Sequence, residues 1–311
     1  MSLKQLHKPD FICIGPTKTG TSWLYTVLRL HPELWLPPVS EVNYYWGTGN
    51  RLPQATVYKT IKQRIKGDIR IRWRKTYAKQ RWEFYAGNPS LRHWRDISWD
   101  LKYLFLPQTP SWYKSLFRTN GIAGDITGGY FLYDDQAIRQ LAAQLPNTKI
   151  LMTFRDPVSR LWSEAKMILM FLPRKTFEQV SEADFYRRFD RAIQRLPSYY
   201  GLYNRWLKHF PEEQILTSYY DDLLNDPHAY LRRICNFLNV SDTLTAEMQL
   251  SLHEKVFEGP RTPLPEHFRK YLIIKTMPSV KELAEKSGHP QPLQWLEKYQ
   301  QYLDGAKISV A

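Results

Sequence analysis

The chain lacks several things that would each have assigned it a class. It has only two cysteines in 311 residues, Cys13 and Cys235, each within apolar sequence. Two such residues read as small buried side chains rather than as a disulfide framework or a metal site. They fit manufacture in a reducing compartment. No run approaches the ~18 apolar residues of a membrane span. The opening M-S-L-K-Q-L-H-K-P-D has no apolar core of the kind a secretory leader carries, so a cytoplasmic location is expected. No Gly/Ser-rich or Pro-rich linker divides the sequence and no internal repeat is visible, so a single domain over 1–311 is expected. Acidic residues are also few: 30 Asp and Glu against 44 Lys and Arg leave a net charge of +14. That excess favours an anionic partner, but nucleic acid, anionic glycan, lipid surface and phosphate-rich cofactor all satisfy it.

One further absence is the informative one. Residues 11–24 read F-I-C-I-G-P-T-K-T-G-T-S-W-L. The apolar run 11–14 predicts a buried strand, and Trp23, Leu24, Val27 and Leu28 predict a helix over 21–30. Strand, glycine turn and helix form the setting of a phosphate-binding loop. Gly15 and Gly20 have the separation of G-x-x-x-x-G-K-[ST], yet Thr21 stands where the lysine should follow. The lysine is Lys18, inside the turn. The loop amides, Lys18 and the hydroxyls of Thr21 and Ser22 make an anion site; the competing reading is a plain strand-to-helix turn with an exposed lysine.

A second chemistry-bearing stretch follows the apolar strand expected at 149–154. It reads R-D-P-V-S-R-L-W-S-E over 155–164. Arg155 ends the strand, where open α/β sheets bind their ligands. Ser163 follows two helical turns later, and Pro157 suits the first turn of that helix. Guanidinium and hydroxyl together can hold one phosphate. The alternative is an Arg155 paired with Asp156 and a Ser163 that only packs. Further strands are expected at 121–127 and 214–218, and helices at 134–145, 188–195, 202–209 and 222–238. After about 257 the pattern weakens, with helix resuming at 280–286 and 293–302. Strands alternating with helices predict an α/β fold, a central parallel sheet flanked by helices on both faces. Residues 50–118, rich in Trp and Arg, read as a helical insertion.

The two motifs, in this order and context, resemble those of sulfotransferases that use 3′-phosphoadenosine 5′-phosphosulfate (PAPS). The family's loop stands here as P-T-K-T-G-T-S-W-L, and its 3′-phosphate element as R-D-P-V-S-R-L-W-S-E-A. The match spans about 10–46 and 120–240, and the piece at 221–240 resembles the family's later strand-helix unit. The resemblance implies a P-loop-like fold without a metal. It implies that Thr17, Lys18, Thr19, Gly20, Thr21 and Ser22 hold the 5′ end, that Arg155 and Ser163 hold the 3′-phosphate, and that Lys18 stabilises the leaving 3′,5′-bisphosphate, PAP, on which charge develops. In the branch resembling heparan-sulfate sulfotransferases, a K-E-x-x-[FY]-[FY] stretch supplies the base. Here S-E-V-N-Y-Y over 40–45 offers Glu41, with Ser40 in the lysine's place. His31 is the competing base, and its position at a helix end favours a capping role. The family's G-E-x-[ST]-P-x-Y reads G-D-I-T-G-G-Y over 124–130, taken as an acceptor-side wall. Arg261, in E-G-P-R, is a candidate last 3′-phosphate contact.

The expected activity is transfer of a sulfuryl group to a hydroxyl or amine on a carbohydrate, lipid or small-molecule acceptor, with neither specific nucleic acid nor a membrane span involved. The oligomeric state is open. A nucleotide kinase is disfavoured by the missing lysine and by a strand that ends in Arg155 rather than an acid. A non-catalytic polyanion binder would use the basic series Lys59, Lys62, Arg64, Lys66, Arg70, Arg72, Arg74, Lys75, Lys79 and Arg81, which equally reads as a solvated helical face. Trp73, Trp82, Trp94, Trp99 and Trp112 are either sugar-stacking platforms or core.

Overall fold

The computed structural model describes residues 8–44, 81, 94–106, 109–117, 121–171, 173–196, 198–254, 256 and 261–308. Its elements run β1 (Phe11–Gly15), α1 (Thr21–Leu28), β2 (Leu34–Trp35), α2 (Trp94–Phe105), α3 (Pro110–Ser115), β3 (Ile122–Ile126), α4 (Asp135–Gln144), β4 (Lys149–Phe154), α5 (Pro157–Lys166), α6 (Glu182–Arg195) and α7 (Tyr199–Leu207). They continue with β5 (Ile215–Tyr219), α8 (Tyr220–Asn225), α9 (Pro227–Leu238), α10 (Ala246–Ser251), α11 (Glu266–Ser287) and α12 (Pro290–Ile308).

The five described strands pair in the order β2-β3-β1-β4-β5 and every pairing is parallel. Such a sheet must be covered on both faces, and the two-residue period of the strands shows that it is. Ile12 and Ile14 of β1, with Ile150, Met152 and Phe154 of β4, join a core with Ile138, Leu161, Phe185 and Phe268. The alternate residues Phe11, Cys13 and Leu151 point the other way, onto Trp23, Leu24, Val27, Leu231 and Ile234 of α1 and α9. Both cysteines are buried and unpaired, which agrees with their apolar contexts. No described helix is long and apolar enough to cross a membrane.

The order of the strands fixes the site. From β1 the chain crosses to β2 on one side, and from β4 it crosses to β5 on the other. The carboxyl ends of β1 and β4 therefore border the switch-point crevice at which doubly wound sheets bind ligands. The two motifs found in the sequence leave these two neighbouring strands.

Several boundaries depart from expectation for local reasons. The helix expected over 222–238 is two, because Asp226 precedes Pro227 and is held extended (φ −147°) while its carboxylate accepts the Ala229 N–H. In the weak C-terminal pattern, the helix expected at 280–286 proves to run from Glu266 to Ser287, with Pro278 inside it. Of the expected insertion, α2 and α3 are helical, whereas the basic positions from Lys59 to Lys79, with Trp73 and Trp82, lie outside the described residues. The Trp94 side chain is likewise outside them. Arg81 pairs with Asp100 at 2.8 Å. Of their two readings, Trp99 and Trp112 take that of core. Both are buried, and their indole N–H groups donate to the Leu116 and Lys102 carbonyls at 2.8 Å.

Candidate active site

The loop after β1 is built around three left-handed residues, Gly15 (φ +82°), Lys18 (φ +70°) and Gly20 (φ +94°). Two of these positions require glycine for space as well as for φ. A Cβ on Gly15 would lie 2.6 Å from the Gly128 carbonyl oxygen, so the loop begins pressed against the turn after β3. A Cβ on Gly20 would lie 2.9 Å from the Tyr220 ring. Gly20 is also the N-cap of α1: no side chain caps that helix, and its first turn holds no acidic residue. Its leading amides are thus left to an external acceptor at the positive end of the helix dipole. Thr21 is half-buried beside them and Ser22 is exposed.

Thr19 has a different position from its neighbours. Its side chain is fully buried and turns away from the crevice. The hydroxyl donates to the Pro16 carbonyl and meets the Thr153 hydroxyl of β4, both at 2.5 Å. Only its backbone amide remains as a contribution to an anion cradle; the hydroxyl is a tie between loop and sheet.

Arg155 closes the crevice from the β4 side. Its Nη1 donates to the Lys18 carbonyl at 3.2 Å, and its guanidinium lies 4.6 Å from the centre of the Tyr220 ring. Asp156 does not claim it. That carboxylate caps α5, accepting from the Val158 and Ser159 amides at 3.3 and 3.1 Å and from the Ser159 hydroxyl at 2.6 Å. The Tyr299 hydroxyl donates to it as well. Two turns along α5, Ser163 is half-buried. Directly after Ser163, the buried Glu164 binds Arg160 at 3.0 Å and also Arg188, fixing α5 to α6.

Lys18 is half-buried, and its ammonium is pushed below the ordinary lysine value, first by burial and next by the neighbouring Arg155; Lys166 acts in the same sense, while Glu164 and Glu41 oppose it. Lys18, Arg155 and Lys166 are thus near enough to repel one another, with Glu164 and Glu41 in partial balance. Lys166, one turn beyond Ser163 on the same face of α5, donates to the Thr262 carbonyl at 3.3 Å, as the Trp162 indole does at 3.2 Å. These bonds bring the segment that begins at the exposed Arg261 alongside α5. Glu258, Gly259 and Pro260 lie outside the described residues.

Glu41 reaches the site from the segment after β2. Gly128 lies between it and the loop: a Cβ there would meet Thr17 Cγ2 at 3.4 Å and Glu41 Oε1 at 3.5 Å. The carboxylate accepts from the Gly128 amide, and from Asn43 Nδ2 at 3.4 Å. Burial raises its pKa above the usual glutamate value and the Asp125 charge adds to this, against the Asn43 and Gly128 donors and the Lys18 charge. His31 is occupied elsewhere. Its Nδ1 accepts the Glu33 amide at 3.1 Å, which leaves Nε2 to donate to the Ser241 carbonyl at 2.8 Å. The expected capping of α1 is therefore not what the ring does: it ties the turn after the helix to the segment at Ser241.

The reading of residues 124–130 as an acceptor-side wall is corrected. The segment from Ala123 to Tyr130 is buried throughout, and Asp125 is fully enclosed. Three other residues of the site were not singled out from the sequence: Tyr220, Thr153 and Lys166. Tyr220 and Thr153 lie at or near carboxyl ends of strands beside the switch point, which is the positional signal that would have found them. Lys166 could have been found from its i+3 spacing to Ser163. Among the described residues no group of three or more His, Cys, Asp or Glu side chains is arranged to hold a metal ion.

Comparison with known proteins agrees with this geometry. The family model described as "Sulfotransferase family" matches residues 9–243, and the chain belongs to that family. It is 24% identical over 274 residues to the mouse bifunctional heparan sulfate N-deacetylase/N-sulfotransferase 4, covering 82% of this chain and 26% of that protein. It is 28% identical over 231 residues to the human heparan sulfate glucosamine 3-O-sulfotransferase 3B1, covering 69% of this chain and 53% of that protein. The chain thus spans between about a quarter and about half of these curated relatives. In structure it is similar to a sulfotransferase from Alicyclobacillus acidocaldarius, with a TM-score of 0.54 at 20% identity, covering 89% of this chain and 94% of that one, a likeness of fold.

Proposed function

We propose that the chain transfers a sulfuryl group from PAPS to a hydroxyl or amine of a carbohydrate acceptor. The observation that carries this reading is the convergence at the switch point. Arg155 bonds the Lys18 carbonyl beside the uncapped start of α1, and Gly128 lies against both Thr17 and the Glu41 carboxylate. The two curated relatives named above, both named as acting on heparan sulfate, support a sugar acceptor. Family, fold and cradle fit the donor, whose phosphosulfate supplies an activated sulfuryl group when bound. The amides at the start of α1, with Thr17, Thr21 and Ser22, hold its 5′ end, and Arg155 and Ser163 hold its 3′-phosphate. Arg261 joins them on this reading, which is supported by the bonds its neighbour Thr262 accepts from Lys166 and the Trp162 indole of α5.

In the transfer, the acceptor oxygen or nitrogen forms a bond to sulfur as the bond from sulfur to the phosphate bridge oxygen breaks. Glu41 takes the acceptor's proton. Its raised pKa makes it a stronger base than an ordinary carboxylate while leaving it ionised for the task at higher pH. The electron pair of the broken bond stays on the bridge oxygen of PAP, and the Lys18 ammonium stabilises that charge. Two buried, unpaired thiols agree with a cytoplasmic location, which belongs to the same proposal.

The test is sulfur-labelled PAPS with N-desulfated heparan-sulfate oligosaccharides, simple sugars and a host extract, the labelled product being identified by mass spectrometry. Lys18→Ala is expected to lower kcat by ~100- to 1,000-fold with the fold intact. Stabilisation by ATP with magnesium but not by PAP would overturn the reading in favour of a kinase. Nucleic-acid binding with a steep salt dependence and no response to PAP would favour a polyanion binder.

A further inference from the structure

Asp125 is the most enclosed carboxylate of the molecule's described acids, and its surroundings are unusually complete. Its side chain is fully buried at the end of β3. The Tyr113 hydroxyl donates to Oδ2 at 2.8 Å, the Tyr130 hydroxyl to the same oxygen at 2.7 Å, and the Thr127 hydroxyl to Oδ1 at 2.7 Å. The Val42 amide is the fourth donor. These four donors favour the ionised carboxylate, against a burial that raises its pKa above the ordinary aspartate value.

These donors come from three places. Tyr113 belongs to α3, Thr127 and Tyr130 to the turn after β3, and Val42 to the segment that carries Glu41. The Tyr130 hydroxyl also accepts the Tyr44 amide at 3.3 Å, and the Tyr44 ring stacks on Tyr113 with centroids 4.4 Å apart. Residues on the carboxyl side of Glu41 are therefore held by Asp125 directly at Val42 and through Tyr130 at Tyr44. The same turn supplies the Gly128 amide to the Glu41 carboxylate itself.

We propose that Asp125 is a positioning residue for Glu41: it fastens the 42–44 segment, the β3 turn and α3 to one buried carboxylate and so holds Glu41 opposite Thr17 of the loop. It touches neither donor nor acceptor. Because α3 belongs to the insertion, the same carboxylate joins that insertion to the base. The inference rests on Glu41 being the base. The charged groups that face Glu41 are Lys18 from the loop and Asp125 from β3, with the Gly128 amide and Asn43 as the polar neighbours. Removing the Asp125 charge removes a like charge, while Lys18 and the two donors remain.

The experiment compares wild type with Asp125→Asn in the full chain, with PAP bound. It follows the Glu41 carboxyl by 13C NMR, assigned by its loss in Glu41→Gln, and amide hydrogen exchange at residues 42–44. In Asp125→Asn the Glu41 midpoint should fall by ~0.5–1 pH unit, as expected for loss of a nearby like charge. Exchange at Val42 and Tyr44 should quicken by roughly tenfold or more as the local tie opens. PAP affinity should stay within about threefold, because the donor cradle is untouched. If Asp125→Asn does not bind PAP, Tyr130→Phe carries the test, since it removes one tie at Tyr44 and keeps the charge; faster exchange at Tyr44 with PAP binding retained supports the proposal. An unchanged Glu41 midpoint and unchanged exchange in Asp125→Asn overturn it, as does unchanged exchange in Tyr130→Phe. Wild-type transfer by Glu41→Gln instead overturns the base reading, and the positioning role falls with it.

Discussion

Gly20→Ala perturbs the point where the loop, α1 and Arg155 meet, so one methyl group should be felt in both stability and binding. Alanine at φ +94° pays for a left-handed backbone, ~1–2 kcal/mol, partly offset by about 0.4–1 kcal/mol from the reduced freedom of the unfolded chain. The new Cβ lies 2.9 Å from Cδ2 and 3.1 Å from Cε2 of Tyr220, so the ring must move, at ~1–3 kcal/mol for an overpacked contact. The sum is a destabilisation of about 1–5 kcal/mol. The ring is not an isolated neighbour, because the Arg155 guanidinium lies 4.6 Å from its centre. Displacing Tyr220 moves Arg155. If that costs one hydrogen bond between charged groups, ~1.5–3 kcal/mol, PAP affinity falls roughly 10- to 100-fold. Urea unfolding of the unliganded protein measures the first quantity. Isothermal titration with PAP and with adenosine 5′-phosphate, which lacks the 3′-phosphate, measures the second, and the loss should be greater for PAP. A stability change below about 0.5 kcal/mol with wild-type PAP affinity would refute the reasoning, because neither the φ angle nor the ring contact would then matter.

Two further outcomes are expected. Arg155→Lys keeps the charge but loses the planar fork and its seat on Tyr220; PAP binding should weaken by about tenfold while adenosine 5′-phosphate binding changes by less than about twofold, and equal weakening of both would remove Arg155 from the 3′-phosphate. Glu41→Gln should lower kcat by ~100- to 10,000-fold and raise the urea midpoint at neutral pH. The sign follows from linkage: the folded-state pKa of Glu41 is raised above 4.5, so the stability that protonation confers is present below that value and is lost as the pH climbs through the folded pKa. The advantage of glutamine should therefore shrink as the pH is lowered toward 4.5, and an advantage that widens on acidification would contradict the burial argument.

How much of this was legible in the sequence depends on the range of the interactions involved. The strands at the heart of the sheet announce themselves as short apolar runs because both of their faces are covered, and Asp156-Pro157 marks the start of α5 by cap and fixed φ. Both are local facts. The helix from Glu266 to Ser287 was legible only from 280 onward. Its buried positions Phe268, Leu272, Ile273 and Thr276 do follow helical spacing, but Pro263 and Pro265 before it and Pro278 within it mask the pattern, and tertiary contact decides the matter. The site divides in the same way. Lys18 and Arg155 are visible from strand-end position alone. The inward turn of Thr19 is not, since its partner Thr153 is 134 residues away. Nor is the burial of Asp125, whose donors at 42, 113 and 130 no spacing rule connects. Trp99 and Trp112 read in a sequence as either sugar platforms or core, and burial between α2 and α3 makes them core.

The short contacts of Thr19 with Pro16 and Thr153, and that of Arg155 with the Lys18 carbonyl, have a consequence for selectivity. They join the turn after β1 to the end of β4 at two points, so neither can shift without the other. On the proposed reading, one cradle grips the 5′ end of the nucleotide and the other its 3′-phosphate, and the span between them is set by the pleat of two paired strands. The protein then works as a caliper. It gauges the separation of two anionic groups on one ribose, and a triphosphate that carries all its charge at the 5′ end leaves one jaw empty.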